Sequence, residues 1–171
     1  RDRRASAFER LEATGPTTPA FARLVVCPAD TRSAGADAET EDELPWSLRE
    51  REAPVDPGGL APVVAEELEE LATAAGDPEP AELRVGIDAG EPLVDAAGLL
   101  PAFRFAHALG GHLRRRRGLG YLHLPRPRDD RAIATLRPLF DATVELDVRG
   151  GDPACRWHLR ESSLSSGWLD V

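Results

Sequence analysis

The chain of 171 residues contains no lysine, no asparagine, no glutamine and no methionine. Without lysine there is no G-x-x-x-x-G-K-[ST] loop, in which backbone N–H groups and a lysine hold the β- and γ-phosphates of a nucleotide. Cysteine is scarce: Cys27 and Cys155 lie far apart with no C-x-x-C spacing. Two buried, reduced thiols are therefore expected rather than a metal or redox motif. No run of about 18 apolar residues exists, so no membrane insertion is expected. The opening Arg1-Asp2-Arg3-Arg4 is basic, but no apolar stretch follows it, so it is no secretory signal and a cytoplasmic location is expected. The missing initiator Met gives the expectation that the chain begins partway into a longer protein.

What remains is globular. Hydrophobic residues make up 42% and charged residues 30% of the chain, enough for one domain with a core over residues 1–171 and hardly for two. All 21 basic residues are arginine, set against 30 carboxylates for a net charge of −9. Acidity of this size argues against non-specific nucleic-acid binding. An acidic, alanine-rich chain that keeps only arginine resembles proteins of salt-loving archaea, and a high-GC actinobacterial genome gives a similar bias.

Apolar periodicity then divides the chain. A short helix is expected over 3–13, a turn at Gly15-Pro16 and a buried strand over 21–27, ended by Pro28. Residues 28–56 hold no sustained period and read as a long acidic loop, with 37–43 a solvated charge run. A helix is expected from Pro57 to Ala75 on Leu60, Val64, Leu68 and Leu71, with Glu66, Glu67, Glu69 and Glu70 mostly toward water. Leu83–Asp88 is a strand ending in the turn Ala89-Gly90. Pro101–Arg117 is the clearest helix, and Leu119–Leu124 a third buried strand. A helix capped by Asp129 or Asp130 follows.

Alternation over Ala142–Val148, a Gly150-Gly151-Asp152 turn and alternation through Cys155, Trp157 and Leu159 predict a C-terminal β-hairpin. Residues 161–171 fray unless Trp168 and Leu169 dock. Strands alternating with helices predict an α/β fold, a three-layer parallel sheet covered on both faces.

Leu83-Arg84-Val85-Gly86-Ile87-Asp88 has the form of a Walker B strand. Phe103–Leu109 lies in the helix after it, and Gly120–Leu124 leads to Ala132–Asp141. That succession resembles the haloarchaeal RecA/KaiC-like domains of the transducer-like kind, over roughly residues 55–160. The resemblance implies a P-loop-type fold that is degenerate, because the phosphate loop is missing. It also implies that the strand preceding that loop, normally beside strand 119–124, is missing. Strands 119–124 and 141–148 are then expected to pair directly in a complete protein; in a fragment the edge is left sticky.

Asp88 is the first site candidate, an acid at the C-terminal end of a parallel strand, where open α/β sheets bind ligands. The plain alternative is that it caps the next turn. Glu91 adds a second carboxylate. His123, Arg126 and Arg128 follow the next strand on the side that the resemblance turns toward phosphates, although His123 also fits as a packed core residue. His107 and His112 are five apart on different faces and form no zinc pair, and His158 has no partner by spacing. Arg114–Arg117 suits a helix C-terminus, where cations are favoured. Ser162, Ser163, Ser165 and Ser166 have no His–Asp partner nearby, so no catalytic motif is complete.

Two functions are carried forward. The first is a non-catalytic regulatory, signalling or protein-interaction domain derived from a RecA/KaiC-like core, with a protein partner or self-association and no cofactor. The second is the C-terminal part of an ATPase whose Walker A loop lies upstream, using ATP and Mg²⁺. A lesser third is an acidic scaffold that binds through loop 28–56.

Overall fold

The computed structural model describes residues 22–26, 48–76, 78–88, 90–162 and 164–171. The expected helix over 3–13, the turn at Gly15-Pro16, Cys27 and the acidic run 37–43 lie outside the described residues. Strand β1 (Ala22–Val26) falls where the apolar run predicts it, and pairs in parallel with β2 (Leu48–Glu52). β2 corrects the expectation of an unbroken loop over 28–56. Its sequence Leu-Arg-Glu-Arg-Glu alternates in charge and not in hydropathy, a composition suited to the edge of a sheet.

Helix α1 (Pro57–Ala75) starts where the Asp56 carboxylate accepts the Gly59 N–H at 3.0 Å and Pro57 presets the first turn. Gly76 ends it at φ 76°. Leu60, Leu68 and Ala72 are buried, as the helical stripe requires. Glu67 was expected to face water, but it is 3% exposed. Arg51 of β2 reaches it with Nη1 at 3.3 Å, and reaches Glu66 with Nη2 at 2.8 Å. The two carboxylates, Glu66 foremost, hold the Arg51 guanidinium more firmly charged than usual. A buried carboxylate thus rests on a strand the sequence hides.

Strands β3 (Arg84–Ile87) and β4 (Leu119–Leu122) pair in parallel, with Arg84 opposite Leu119 and Ile87 opposite Leu122. Between them run α2 (Gly90–Ala97) and α3 (Leu99–Arg115), broken at Gly98, φ 86°. The sequence reading placed only a turn where α2 stands and began the long helix at Pro101. Leu93 of α2 and Phe105 of α3 are buried with Leu60, and Ile87 packs on them. Leu68, Leu83 and Leu113 form a second cluster against Val85. The helices therefore cover the face of β3–β4 that carries Val85, Ile87, Gly120 and Leu122. The opposite face carries Leu119 and Tyr121, both exposed. A sheet covered on both faces is not what the described residues form.

Asp130 caps α4 (Arg131–Leu136) by accepting the Ala132 N–H at 2.6 Å. A 3-10 turn at Arg137–Leu139 leads to β5 (Ala142–Arg149). Gly150 and Gly151, at φ 65° and 104°, turn the chain into β6 (Asp152–Leu159), as tight hairpins demand. The tail does not fray: β7 (Leu169–Asp170) pairs with β6, giving the sheet order β5-β6-β7. The expected pairing of strands 119–124 and 141–148 is not made. Among the described residues β4 pairs with β3 and β5 with β6. β5 takes its antiparallel partner β6 across the two-residue turn, the connection with the least loop closure. The architecture is mixed α/β, with small parallel and antiparallel sheets and a C-terminal hairpin. No helix among the described residues is long and apolar enough to cross a membrane.

Candidate functional site

The strand ends come first. The His123 N–H donates to the Ile87 carbonyl at 2.8 Å, which brings the residues after both strands, Asp88 and His123, to one level. α2 starts against this end: a Cβ on Gly90 would lie 2.3 Å from the His123 carbonyl oxygen. Only glycine permits that approach. Glu91 stands in the first turn of α2, and Asp88, Glu91 and His123 are all exposed. His123 is thus not the packed core residue its strand suggested.

Arg126 and Arg128 do not join them. Arg126 forms an ion pair with Asp95 of α2, and its Nη1 lies 3.7 Å from the Asp130 carboxylate that caps α4. Its Nε is buried without a hydrogen-bond partner. Arg126 is a brace between the last turn of α2 and the start of α4. Arg128 lies toward the C-terminal sheet, where its charge helps hold the Glu145 carboxyl down. Among the described residues no group of three or more His, Cys, Asp or Glu side chains is placed to hold a metal ion.

Two members of the arginine run at the end of α3 reach other elements. Arg114 Nη2 donates to the Leu139 carbonyl at 2.9 Å, and Arg116 pairs with Glu69. His107 stacks parallel to Phe103 with 6.3 Å between ring centres. His112 lines a crevice between α1 and α3 with Leu68, Phe105 and Leu109. Its volume of about 50 Å³ is far below the roughly 300–1,000 Å³ of a ligand pocket.

A second constellation was not foreseen. His158 and Ser165, expected to be without catalytic partners, are hydrogen-bonded, Nδ1 to Oγ at 2.7 Å. His158 Nε2 lies 3.0 Å from Glu145 Oε2. Arg156 donates to the same oxygen from Nε at 3.2 Å and Nη2 at 2.7 Å. Arg156 first, and His158 second, hold the Glu145 carboxyl below its usual range. Ser–His–Glu is the order of a nucleophilic triad, but the chemistry also needs free donors for an oxyanion. Here the neighbouring amides are already engaged. Ser166 N–H donates to the Trp157 carbonyl and Leu159 N–H to the Leu164 carbonyl, both at 2.9 Å, while Trp157 N–H donates to Ser166 Oγ at 3.0 Å. The cluster fastens the tail. Arg149 and Arg156 complete the fastening, each over the Trp168 ring at 4.7 and 4.6 Å.

Glu145 and Arg156 meet as cross-strand partners because the turn is Gly150-Gly151 alone, with Asp152 already paired to Arg149. Ser165 arrives through the return of the tail. Cys155, expected buried, is free and half-buried.

A family model described as a family of unknown function, DUF7504, matches residues 1–146. The chain belongs to DUF7504. No curated protein and no solved structure matches it. The DUF7504 match takes in Asp88, Glu91, His123, Arg126 and Arg128 and stops at Leu146. The tail fastening beyond Glu145 therefore lies outside it.

Proposed function

We propose that this DUF7504 chain is a non-catalytic regulatory or protein-interaction domain, acting in the cytoplasm and derived from a RecA/KaiC-like core. One observation carries the reading: Arg126, one of the two arginines that would meet phosphates, is turned on the chain's own carboxylates, Asp95 and Asp130. The absence of any lysine supports it, because nothing else supplies the phosphate-loop cation. The parallel order β3-helix-β4 with Asp88 at the strand end supports the RecA/KaiC-like origin.

A second reading has its own support. The outer edge of β4 carries no strand among the described residues, and Leu119 and Tyr121 beside it are exposed. A RecA/KaiC-like ATPase would place its phosphate-loop strand along that edge. A lysine-containing glycine-rich loop encoded directly upstream would decide for it.

The test is titration of a fluorescent ATP analogue against this chain in high salt, with and without Mg²⁺, alongside Asp88→Ala. No saturable binding is expected. Mg²⁺-dependent binding that Asp88→Ala abolishes would show a surviving nucleotide site, and ATP turnover would overturn the non-catalytic reading.

A further inference from the structure

The C-terminal sheet is inside out with respect to its surroundings. On β5, Val144, Leu146 and Val148 stand opposite Trp157, Cys155 and Pro153 of β6. Leu169 of β7 stands opposite Cys155, and the Val171 N–H donates to the Pro153 carbonyl. Residues opposite one another share a face, so all of these side chains lie on one side. Leu146 is 65% exposed, Val148 69% and Val171 76%. Of the eleven large hydrophobic residues exposed in the described chain, eight belong to residues 144–171, so this is one patch and not scatter. The sheet's charges, Glu145, Asp147, Arg149, Arg156 and Asp170, alternate onto the other side, where Arg149 and Arg156 lie over Trp168 and His158 reaches Glu145. Among the described residues nothing covers the apolar side.

We infer that a second copy of this chain covers it, giving a two-fold dimer packed sheet face to sheet face. This deepens the interaction-domain reading by naming the partner, and three observations select it. The first is extent: Val144, Leu146, Val148, Trp157, Leu169 and Val171 share this side at 41–76% exposure, a contiguous patch about as large as the ~300–600 Å² at which apolar surface on a monomer is often functional. The second is charge. The chain carries −9, yet this face has no charged side chain, so two copies meet here without setting carboxylate against carboxylate. It equally offers no charge by which an oppositely charged partner would be recognised. The third is symmetry: β6 is the middle strand and Cys155 sits at the centre of the patch, flanked by Leu146 and Leu169. A two-fold axis near Cys155 matches the patch to itself, as an isologous contact requires, and aligned sheets pack in this way about 10 Å apart.

The experiment is sedimentation velocity of the full chain in high salt from about 1 to about 100 µM, a range that spans micromolar affinities. A concentration-dependent dimer is expected. Leu146→Glu, which sets a carboxylate against its mate across the axis, should weaken it by about a hundredfold or more with circular dichroism unchanged. Leu119→Glu, at an exposed apolar position on β4, should leave it intact. In a Cys27→Ser background a short bismaleimide should link two copies through Cys155, and Cys155→Ser should abolish the link. A monomer throughout the range overturns the proposal, as does a dimer that survives Leu146→Glu without a Cys155 link. Neither result bears on ATP turnover, which alone overturns the non-catalytic reading, so the two can fail separately.

Discussion

The two halves of the described chain solve the same problem in opposite ways. Around β3 and β4, helices α1, α2 and α3 bury the apolar side of a parallel pair, and Leu93 is 2% exposed there. In the C-terminal sheet the polar side is the fastened one. Glu145, Arg156, His158 and Ser165 form a continuous hydrogen-bonded chain, while the apolar side stays open. Hydrophobic alternation thus tells which residues share a face, but not which face the rest of the chain covers. In the first half burial holds the structure; in the second the hairpin ladder and a charge network hold it, leaving apolar surface available for association.

The largest test of that contrast is a pair of leucine truncations. Leu93→Ala removes a fully buried side chain and is expected to cost about 2–5 kcal/mol. Leu146→Ala, read at low concentration where the chain is monomeric, should stay within about 0.5 kcal/mol. Chemical denaturation in high salt measures both. Equal losses would mean that the C-terminal face is covered within the monomer, and the contrast would fail.

A smaller pair sharpens the account of the first half. Gly90→Ala sets a methyl group against the His123 backbone carbonyl, which cannot swing aside as a side chain can. A destabilisation of about 1–3 kcal/mol is expected. Gly111 lies inside α3, where an added Cβ would meet nothing closer than the end of the Arg115 side chain at 3.7 Å. Gly111→Ala should therefore stabilise by about 0.5–1 kcal/mol, because alanine loses less backbone freedom in a helix. Thermal unfolding of the two variants should move in opposite directions. If Gly90→Ala is silent, α2 does not press on the end of β4.

Much of this was legible in the sequence, for a physical reason. α1, α3, β3 and β4 each turn a periodic set of apolar side chains toward the core, the hairpin alternates one that it leaves exposed, and periodicity is what a sequence displays. The sequence of β2 offers no such set: Arg49, Glu50, Arg51 and Glu52 read as solvated. The burial of Glu67 was hidden with it, since nothing distinguishes that glutamate from its three neighbours until Arg51 arrives. α2 has eight residues, opens on glycine and carries Pro92 in its first turn, so it read as a turn. The pairing of Arg126 with Asp95 vanished with it. At the candidate site, the closeness of Asp88 and His123 followed from parallel strand order. The diversion of Arg126 and Arg128 did not, because an arginine's reach is decided by tertiary neighbours.

The smallest effect lies in the charge network of the second half. Arg156 and His158 hold the folded-state Glu145 carboxyl below its usual range, so the unfolded chain binds that proton more readily than the folded one. The contribution is therefore full above the unfolded value, about 4.3, and is lost as pH falls through the lower folded value. Water reaches the pair, so the amount is under about 1 kcal/mol. Glu145→Gln should be less stable than the parent near neutral pH, and the gap should close as pH falls from about 5 to about 3. Hydrogen exchange of residues 164–171 gives the local readout, because Glu145 reaches Ser165 only through His158. Faster exchange of the tail in Glu145→Gln at neutral pH, converging with the parent in acid, is the expected pattern. A gap that persists unchanged in acid would assign the loss to packing rather than to charge. The polar face would then be held by its ladder alone, as the apolar face is.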